Sequence, residues 1–261
     1  MNKIPYGERI ARASSNHKSF IILALDLDPQ DSNLKYIEKL VKNLSPFLCA
    51  IKFNFHLILP FAKKDIQSIN RVIHSHGLLS IADIKLNDIG NTNQVTVQHL
   101  HSMGFDSVIV NPIIGHKQLA SLVQFTHKLG MGIISLVYMS HESVNEGYGL
   151  NTIYSRSKES KVVPLFELFL KYAKTTKVDG IVVGATHSRV LKHISSISSI
   201  PVYSPGIGTQ GGNAKTAMRS GSDYLIIGRS VLNSKNKRKA LSDIINSKAS
   251  SLRYTKSFIT G

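Results

Sequence analysis

A short apolar segment that ends in charged residues occupies positions 77–92 and reads Gly77-Leu-Leu-Ser-Ile-Ala-Asp-Ile-Lys-Leu-Asn-Asp-Ile-Gly-Asn-Thr92. Its apolar half is typical of a short buried β-strand. Because side chains alternate along a strand, Asp83 and Lys85 are predicted to project to the same face. Charged side chains are costly to bury unless they are paired. The segment therefore predicts functional charges at the end of a buried strand.

Short runs rich in Ile, Val and Leu recur at regular intervals along the chain, and amphipathic stretches of helical length lie between them. This alternation predicts a parallel sheet covered by helices. Eight such units predict a single (β/α)₈ barrel domain over residues 1–261, and a doubly wound sheet is the alternative that remains open. The predicted strands are 20–25, 48–53, 78–82, 107–110, 132–137, 180–183, 200–203 and 224–227.

Several of these strands end at residues that can carry chemistry. Barrel enzymes place their active residues at the C-terminal ends of the strands, so these residues are predicted to share one site. Lys52, Asp83, Lys85 and Asp88 alternate in sign, and an opposite neighbour keeps each charge ionised. The residues predicted to meet at that end of the barrel are Asp26, Lys52, Asp83, Lys85, Ser140, Pro205 and Arg229.

A glycine-rich segment, Ser204-Pro-Gly-Ile-Gly-Thr-Gln-Gly-Gly212, follows the seventh predicted strand. Glycine lets backbone N–H groups approach a ligand closely. Gly228 and Arg229 follow the next strand, and the guanidinium of Arg229 has the planar shape that binds phosphate. In barrels the loops after strands seven and eight commonly form a phosphate site. The two loops together predict such a site here.

Three segments fall outside this pattern. Residues 141–161 are polar and contain glycine, so we expect a long loop that is either a lid or binding loop or a flexible insertion. Residues 1–19 and the end after about residue 250 are expected to be poorly packed and flexible.

Composition limits the classes of protein to consider. Cys49 is the single cysteine, which excludes an internal disulfide and fits a reducing, cytoplasmic compartment. No apolar run approaches 18 residues and no secretory signal is recognisable, so we expect no membrane partner. The 11 histidines lack the spacing of helical zinc ligands. The net charge of +16 fits nucleic acid, an acidic membrane surface, an anionic substrate or simply a basic exterior.

The motifs of residues 83–92, 204–212 and 227–230, in this order, resemble those of the orotidine 5′-phosphate decarboxylase family, and the similarity extends from Leu23-Ala-Leu-Asp26 to Gly228-Arg-Ser. The resemblance implies a (β/α)₈ barrel, a homodimer, no metal and no organic cofactor. It also implies conversion of the nucleotide orotidine 5′-monophosphate to UMP and CO₂, the last step of de novo pyrimidine synthesis.

The resemblance implies a role for each residue of the charged cluster. Asp26 and Lys52 would bind ribose hydroxyls, and Lys52 would also pair with Asp83. Asp83 would face the substrate carboxylate. Lys85 would protonate C6 as CO₂ leaves.

The remaining roles concern the subunit contact and the two ends of the substrate. Asp88, with Ile89 and Thr92 nearby, would reach into the site of the partner subunit. Ser140 would hydrogen-bond the pyrimidine edge. The resemblance also implies substrate-binding roles for Pro205, Gln210, Gly228 and Arg229.

Two alternatives stay open. A sister barrel, a hexulose-phosphate or keto-gulonate-phosphate lyase, also carries Asp-x-Lys-x-x-Asp-x-Gly but uses Mg²⁺; Asn91-Thr92 and residues 208–212 favour the decarboxylase. The second alternative is a nucleic-acid-binding protein on a barrel scaffold, which only the charge supports. The dense basic cluster at residues 235–239 has no interleaved aromatic residues for base stacking.

Overall fold

The computed structural model describes residues 4–28, 33–156 and 159–249. Within these ranges the strands are β1 (Ile21–Leu25), β2 (Ala50–Asn54), β3 (Leu79–Leu86), β4 (Ser107–Val110), β5 (Gly132–Tyr138), β6 (Asn151–Arg156), β7 (Glu159–Pro164), β8 (Gly180–Val183), β9 (Val202–Ser204) and β10 (Tyr224–Ile227). The α-helices are α1 (Tyr6–His17), α2 (Leu34–Leu44), α3 (Phe55–Ile58), α4 (Lys63–Ser75), α5 (Gly90–Ser102), α6 (His116–Lys128), α7 (Leu165–Thr176), α8 (Ser188–Ile197), α9 (Ala214–Arg219), α10 (Arg229–Leu232) and α11 (Lys237–Ala249).

Eight parallel strands close into a barrel in the order β1-β10-β9-β8-β5-β4-β3-β2, with helices between them. Both faces of the strands are buried: Ile22 and Ala24 point into the barrel, whereas Leu23 and Leu25 pack outward against the helix layer. Burial on both faces explains why the strands read as continuous apolar runs. The predicted (β/α)₈ barrel is confirmed.

Helix α1 closes the N-terminal end of the barrel. Tyr6, Ile10 and Ala13 are buried and join the cluster of side chains inside the barrel. Gly132 makes room for Tyr6, because a Cβ at this position would overlap the tyrosine ring. The expectation that residues 1–19 are poorly packed is therefore wrong for α1, whose three apolar residues share one helix face among polar neighbours. The other predicted flexible end, after about residue 250, lies outside the described residues.

The segment 141–161 is not the expected loop. It contains a 3₁₀ turn at Glu142–Glu146 and then β6, which pairs with β7 as an antiparallel hairpin in which Ile153 lies opposite Val162. The hairpin contacts α7, where the Lys171 ammonium lies 4.1 Å from the centre of the Tyr154 ring. The β-branched and aromatic residues of the two strands favour this pairing.

Three aspartates tie the N-terminal ends of neighbouring strands together. Asp106, Asp179 and Asp223 each directly precede a strand, β4, β8 and β10 respectively. Each carboxylate accepts a hydrogen bond of 2.8 Å from a backbone N–H at the start of an adjacent strand, from Ser80, Ile133 and Val202 in turn.

Two of these carboxylates also bind histidines, His74 of α4 and His127 of α6, on the helices that lead into β3 and β5. His74 lies 2.8 Å from Asp106, which Arg9 of α1 also binds. Burial alone raises the pKa of the Asp106 carboxyl, but His74 and Arg9 outweigh it and hold that pKa below its ordinary value. His127 lies 2.9 Å from Asp179, and this hydrogen bond raises the pKa of His127 against a lowering by burial.

Within the described ranges, no helix combines the length and apolar content needed to span a bilayer.

Candidate active site

A cavity of about 720 Å³ opens at the C-terminal end of the barrel. Inward-facing apolar side chains line its inner end: Ala24, Ile109, Leu136, Val182 and Ile226. Strand ends and the loops after them supply its polar residues. The predicted site residues that line this one cavity are Asp26, Lys52, Asp83, Lys85, Ser140, Pro205, Gln210, Gly228 and Arg229.

Two lysines hold the carboxylate of Asp83. Lys52 Nζ on β2 lies 2.7 Å from one carboxylate oxygen, and Lys85 Nζ on β3 lies 2.9 Å from the other. The side chains of Lys52 and Asp83 are 5% and 11% exposed, whereas that of Lys85 is 42% exposed. The deeper ammonium is therefore committed to the ion pair, and the shallower one remains accessible from the cavity.

The two lysines determine the charge state of Asp83. Burial alone raises the pKa of this carboxyl, but the ammonium groups of Lys52 and Lys85 outweigh it, and the pKa lies below its ordinary value. The carboxylate is therefore ionised at neutral pH and keeps two cations beside it.

Strand β3 is irregular where it carries these charges. The prediction ended the strand at Ala82, but it continues to Leu86, and its register against β4 shifts between these two residues. Within the shift, Lys85 adopts a left-handed backbone with φ of 46°, which is costly for a residue with a side chain and is often found at functional sites. Asp83 and Lys85 do meet, as predicted, although simple strand alternation does not describe the backbone between them.

Asn54 belongs to the site but was not predicted from the sequence. It is the last residue of β2, two positions after Lys52, so both side chains lie on the cavity face. Its amide oxygen accepts a hydrogen bond from Lys52, and its amide nitrogen donates one to Asp26. The two-residue spacing from Lys52 was the signal available in the sequence. Asp28, Phe55, His56 and Thr209 also line the cavity without having been predicted.

The glycine-rich loop after β9 reaches the opposite wall of the cavity. Ser140, after β5, donates a 2.7 Å hydrogen bond to the side-chain oxygen of Gln210 in this loop. Gly206 lies beneath the contact with φ of 96°, and a Cβ there would come within 2.8 Å of Ser140 and 2.9 Å of Gln210. Glycine is therefore required both by the backbone and by the space available.

The loop after β10 lies directly beside Asp26. A Cβ on Gly228 would overlap the Asp26 carboxylate, so only glycine permits this approach. Arg229 follows at the first position of α10, is exposed, and lines the same cavity. The predicted phosphate-binding residues thus lie at the cavity wall next to the charged cluster.

Three predicted residues do not line this cavity. Asp88, Ile89 and Thr92 are exposed, at or just before the start of α5. The carboxylate of Asp88 accepts a 2.7 Å hydrogen bond from the Ile89 backbone N–H, and not one from Lys85. The expected four-charge order is therefore a three-charge cluster within one chain.

Two residues of the basic cluster near the C-terminus have partners within the chain. The Arg238 guanidinium lies 5.4 Å from the centre of the Phe47 ring, and Lys239 pairs with Asp243 at 2.7 Å.

In the parts of the chain that the structure describes, no three His, Cys, Asp or Glu side chains group closely enough to hold a metal ion.

Comparison with known proteins shows which family the chain belongs to. Orotidine 5′-phosphate decarboxylase of Pyrococcus abyssi is 32% identical over 226 residues, which cover 86% of this chain and 96% of the relative. The crystal structure of the enzyme of that name from Pyrococcus horikoshii superposes with a TM-score of 0.68 at 32% identity, covering 87% of this chain and 98% of the other. That of the Methanocaldococcus jannaschii enzyme, complexed with the inhibitor BMP, gives a TM-score of 0.72 at 26% identity, with coverage of 88% and 98%. Residues 19–244 match the family described as orotidine 5′-phosphate decarboxylase / HUMPS, and the chain belongs to this family.

Proposed function

We propose that this protein converts orotidine 5′-monophosphate to UMP and CO₂, the last step of de novo pyrimidine synthesis, without a metal or an organic cofactor. Family membership and the names of the relatives support this activity. The observation that carries it is the Lys52–Asp83–Lys85 cluster in the same cavity as Arg229. That arrangement matches a substrate with a reacting carboxylate near one end and a phosphate at the other.

Substrate binding follows from the cavity wall. Arg229, with the Gly228 backbone N–H, binds the phosphate through charge-assisted hydrogen bonds. Asp26 and Lys52 bind ribose hydroxyls. Ser140 binds the pyrimidine edge, and Gln210 spans base and phosphate. A 2.7 Å hydrogen bond joins these two side chains in the cavity lining, which supports neighbouring roles for them.

The chemistry takes place at Asp83 and Lys85. The ionised Asp83 faces the substrate carboxylate, and the repulsion between them is relieved as neutral CO₂ leaves. Cleavage of the bond from C6 to the carboxylate carbon leaves the electron pair on C6, and the Lys85 ammonium donates a proton there. This ammonium offsets the developing negative charge more strongly in the transition state than in the ground state. Solvent then returns a proton to Lys85.

The direct test is the loss of substrate absorbance when purified protein is mixed with orotidine 5′-monophosphate in EDTA. We expect turnover in the parent and a loss of about 10²- to 10⁴-fold or more in kcat for Lys85→Ala, the range for a proton-transferring group. Lys42→Ala, which removes an exposed lysine of α2, is the matched control. Turnover only with added Mg²⁺ on a sugar phosphate would instead identify the sister lyase. An active Lys85→Ala variant would refute the assigned proton donor.

Arg229 is tested separately because it acts on binding. Arg229→Ala should raise KM by about 10- to 100-fold, the range for a hydrogen bond to a charged group, with a smaller change in kcat. An unchanged KM would contradict the phosphate assignment.

The active unit is a homodimer in which Asp88 and Thr92 reach the neighbouring cavity. Exposed apolar side chains support it: among the described residues, five of the ten large ones lie on the segments after three adjacent strands, β2, β3 and β4, namely Phe55, Leu59, Ile89, Val95 and Ile113. Exposed apolar side chains on neighbouring segments, next to the exposed Asp88 and Thr92, favour a protein–protein contact at this side of the barrel.

Subunit mixing tests the shared site. Lys85→Ala and Asp88→Ala homodimers should each be nearly inactive, whereas verified heterodimers should recover activity because one of the two sites keeps both residues. Heterodimers without recovered activity would contradict the shared site, and a monomer by sedimentation would contradict the proposed homodimer.

A cytoplasmic location is a further prediction, which cell fractionation tests.

A further inference from the structure

Asn54 occupies a central place in the charged cluster although no motif includes it. Its amide connects Lys52 to Asp26, so hydrogen bonds link five side chains across the cavity. The order is Lys85, Asp83, Lys52, Asn54 and Asp26. Asn54 is the neutral member of this sequence and joins the part that faces the reacting carboxylate to the part that faces the sugar.

The chemistry of an amide explains why asparagine suits this position. Its oxygen accepts a hydrogen bond from a cation, and its NH₂ group donates one to an anion. An aspartate here would place a second carboxylate beside Asp26. A leucine, whose side chain branches in the same way, would leave Lys52 without one acceptor and Asp26 without one donor, which is costly for partly buried charges.

The other side of Asp26 is closed by backbone. Gly228 lies so near the carboxylate that a Cβ there would overlap it. Asp26 is therefore held between the Asn54 amide on one side and the Gly228 backbone on the other, which leaves its carboxylate little freedom to move. Removal of the amide frees one side of that arrangement and releases the Lys52 ammonium from one of its two acceptors.

We propose that Asn54 is a positioning residue for the decarboxylation: its amide fixes Asp26 and Lys52 relative to each other, so that the sugar is held in register with Asp83 and Lys85. This inference rests on the roles proposed above for Asp26 and Lys52. Asn54 acts through these two charged groups, and its contribution is therefore expected mainly in kcat/KM.

The first experiment compares Asn54→Ala, Asn54→Leu and Asn54→Gln with the parent in steady-state kinetics. Asn54→Ala and Asn54→Leu should lower kcat/KM by about 10- to 100-fold, the range for hydrogen bonds to charged groups. Asn54→Gln keeps the amide and should retain more activity than Asn54→Leu. Asn111→Ala is the matched control, because Asn111 is also half-buried at a strand end and makes two hydrogen bonds, but lies outside the cavity lining.

The second experiment measures how kcat/KM depends on pH, because a purely structural role of Asn54 would not change this dependence. In Asn54→Asp, the new carboxylate repels Asp26 when ionised, whereas its protonated form can donate to Asp26 and accept from Lys52 as the amide does. The ratio of kcat/KM between Asn54→Asp and the parent should therefore rise as the pH falls. A double-mutant cycle with Asp26→Ala should also show that the loss from Asn54→Ala shrinks when Asp26 is absent.

The outcomes separate this inference from the proposed function. Parental kcat/KM in Asn54→Ala, equal losses in all Asn54 variants and in Asn111→Ala, or a pH-independent ratio for Asn54→Asp would each overturn the positioning role. In these cases an active parent and an inactive Lys85→Ala variant still uphold the proposed decarboxylase. A parent without activity on orotidine 5′-monophosphate would overturn both.

Discussion

Asp83 pairs with two lysines that differ in burial, and this difference predicts how the cluster contributes to stability. Asp83→Asn keeps the shape of the side chain but removes its charge, and the Lys52 side chain, only 5% exposed, loses its anion. Removing one partner of a buried ion pair costs about 3–5 kcal/mol. Since the Asn54 oxygen remains as an acceptor, we expect about 3 kcal/mol. For a protein of this size that loss corresponds to a fall in Tm of roughly 6–12 °C.

Lys85→Met is the matched comparison. The Lys85 side chain is 42% exposed, and its removal leaves Asp83 paired with Lys52. Exposed ion pairs contribute about 0–1 kcal/mol, so this variant should unfold close to the parent. Urea unfolding at pH 7, followed by circular dichroism, gives both free energies, and both variants should lose decarboxylation. Equal destabilisation by the two substitutions, or an Asp83→Asn variant within about 1 kcal/mol of the parent, would refute the reasoning from burial.

Three further predictions concern the N-terminal end of the barrel and its tightest contacts. Because the pKa of His127 is raised, its protonation stabilises the fold below pH 6.5, and this stabilisation is lost as the pH rises through the folded-state pKa. His127→Gln should therefore lower the free energy of unfolding more at pH 6 than at pH 9. Measured by urea unfolding, the difference should be less than about 1 kcal/mol, since the histidine is partly exposed. Because the pKa of Asp106 is lowered, its ionised form stabilises the fold above pH 3.8, and this stabilisation is lost as the pH falls below that value. The difference in free energy of unfolding between the parent and Asp106→Asn should therefore become smaller as the pH falls below 3.8. A Cβ on Gly180 would overlap the Tyr203 ring, so Gly180→Ala should cost about 1–3 kcal/mol by the same measurement, whereas Gly7→Ala, in open space on α1, should stabilise by up to about 1 kcal/mol.

The barrel and most of the site could be predicted from the sequence because one physical rule governs both. Strands buried on both faces read as uninterrupted apolar runs, and their C-terminal ends converge in a closed parallel barrel. Residues that follow such runs, such as Asp26 and Arg229, therefore meet in one cavity although they lie far apart in the chain. Strand ends were less predictable: β3 continues through Asp83 to Leu86 because an irregular register accommodates charged residues within the sheet.

Features that depend on a contact between distant residues, or on a weak local pattern, could not be predicted from the sequence. Asn54 looks ordinary in sequence, since its role appears only when Asp26 and Lys52 are brought beside it. The packing of α1 depends on space that glycine leaves at position 132, on a strand distant in sequence. The β6–β7 hairpin was missed because its apolar residues are few and lie among polar ones, so local composition resembled that of a loop.

The arrangement of charges in the cavity, and not the net charge of the chain, accounts for the fit to the proposed anionic substrate. The chain carries +16, yet among the residues that the structure describes the lysine, arginine and aspartate side chains lining the cavity balance: Lys52, Lys85 and Arg229 against Asp26, Asp28 and Asp83. A balanced site attracts an anion only through the placement of its cations. The Lys52 side chain is 5% exposed and pairs with Asp83, whereas Arg229 and the half-exposed Lys85 are the more exposed cations among the described residues that line the cavity. In the proposed complex Arg229 faces the phosphate and Lys85 faces C6, the carbon that carries the carboxylate, so a cavity whose described charges balance can still select a molecule with two negative centres.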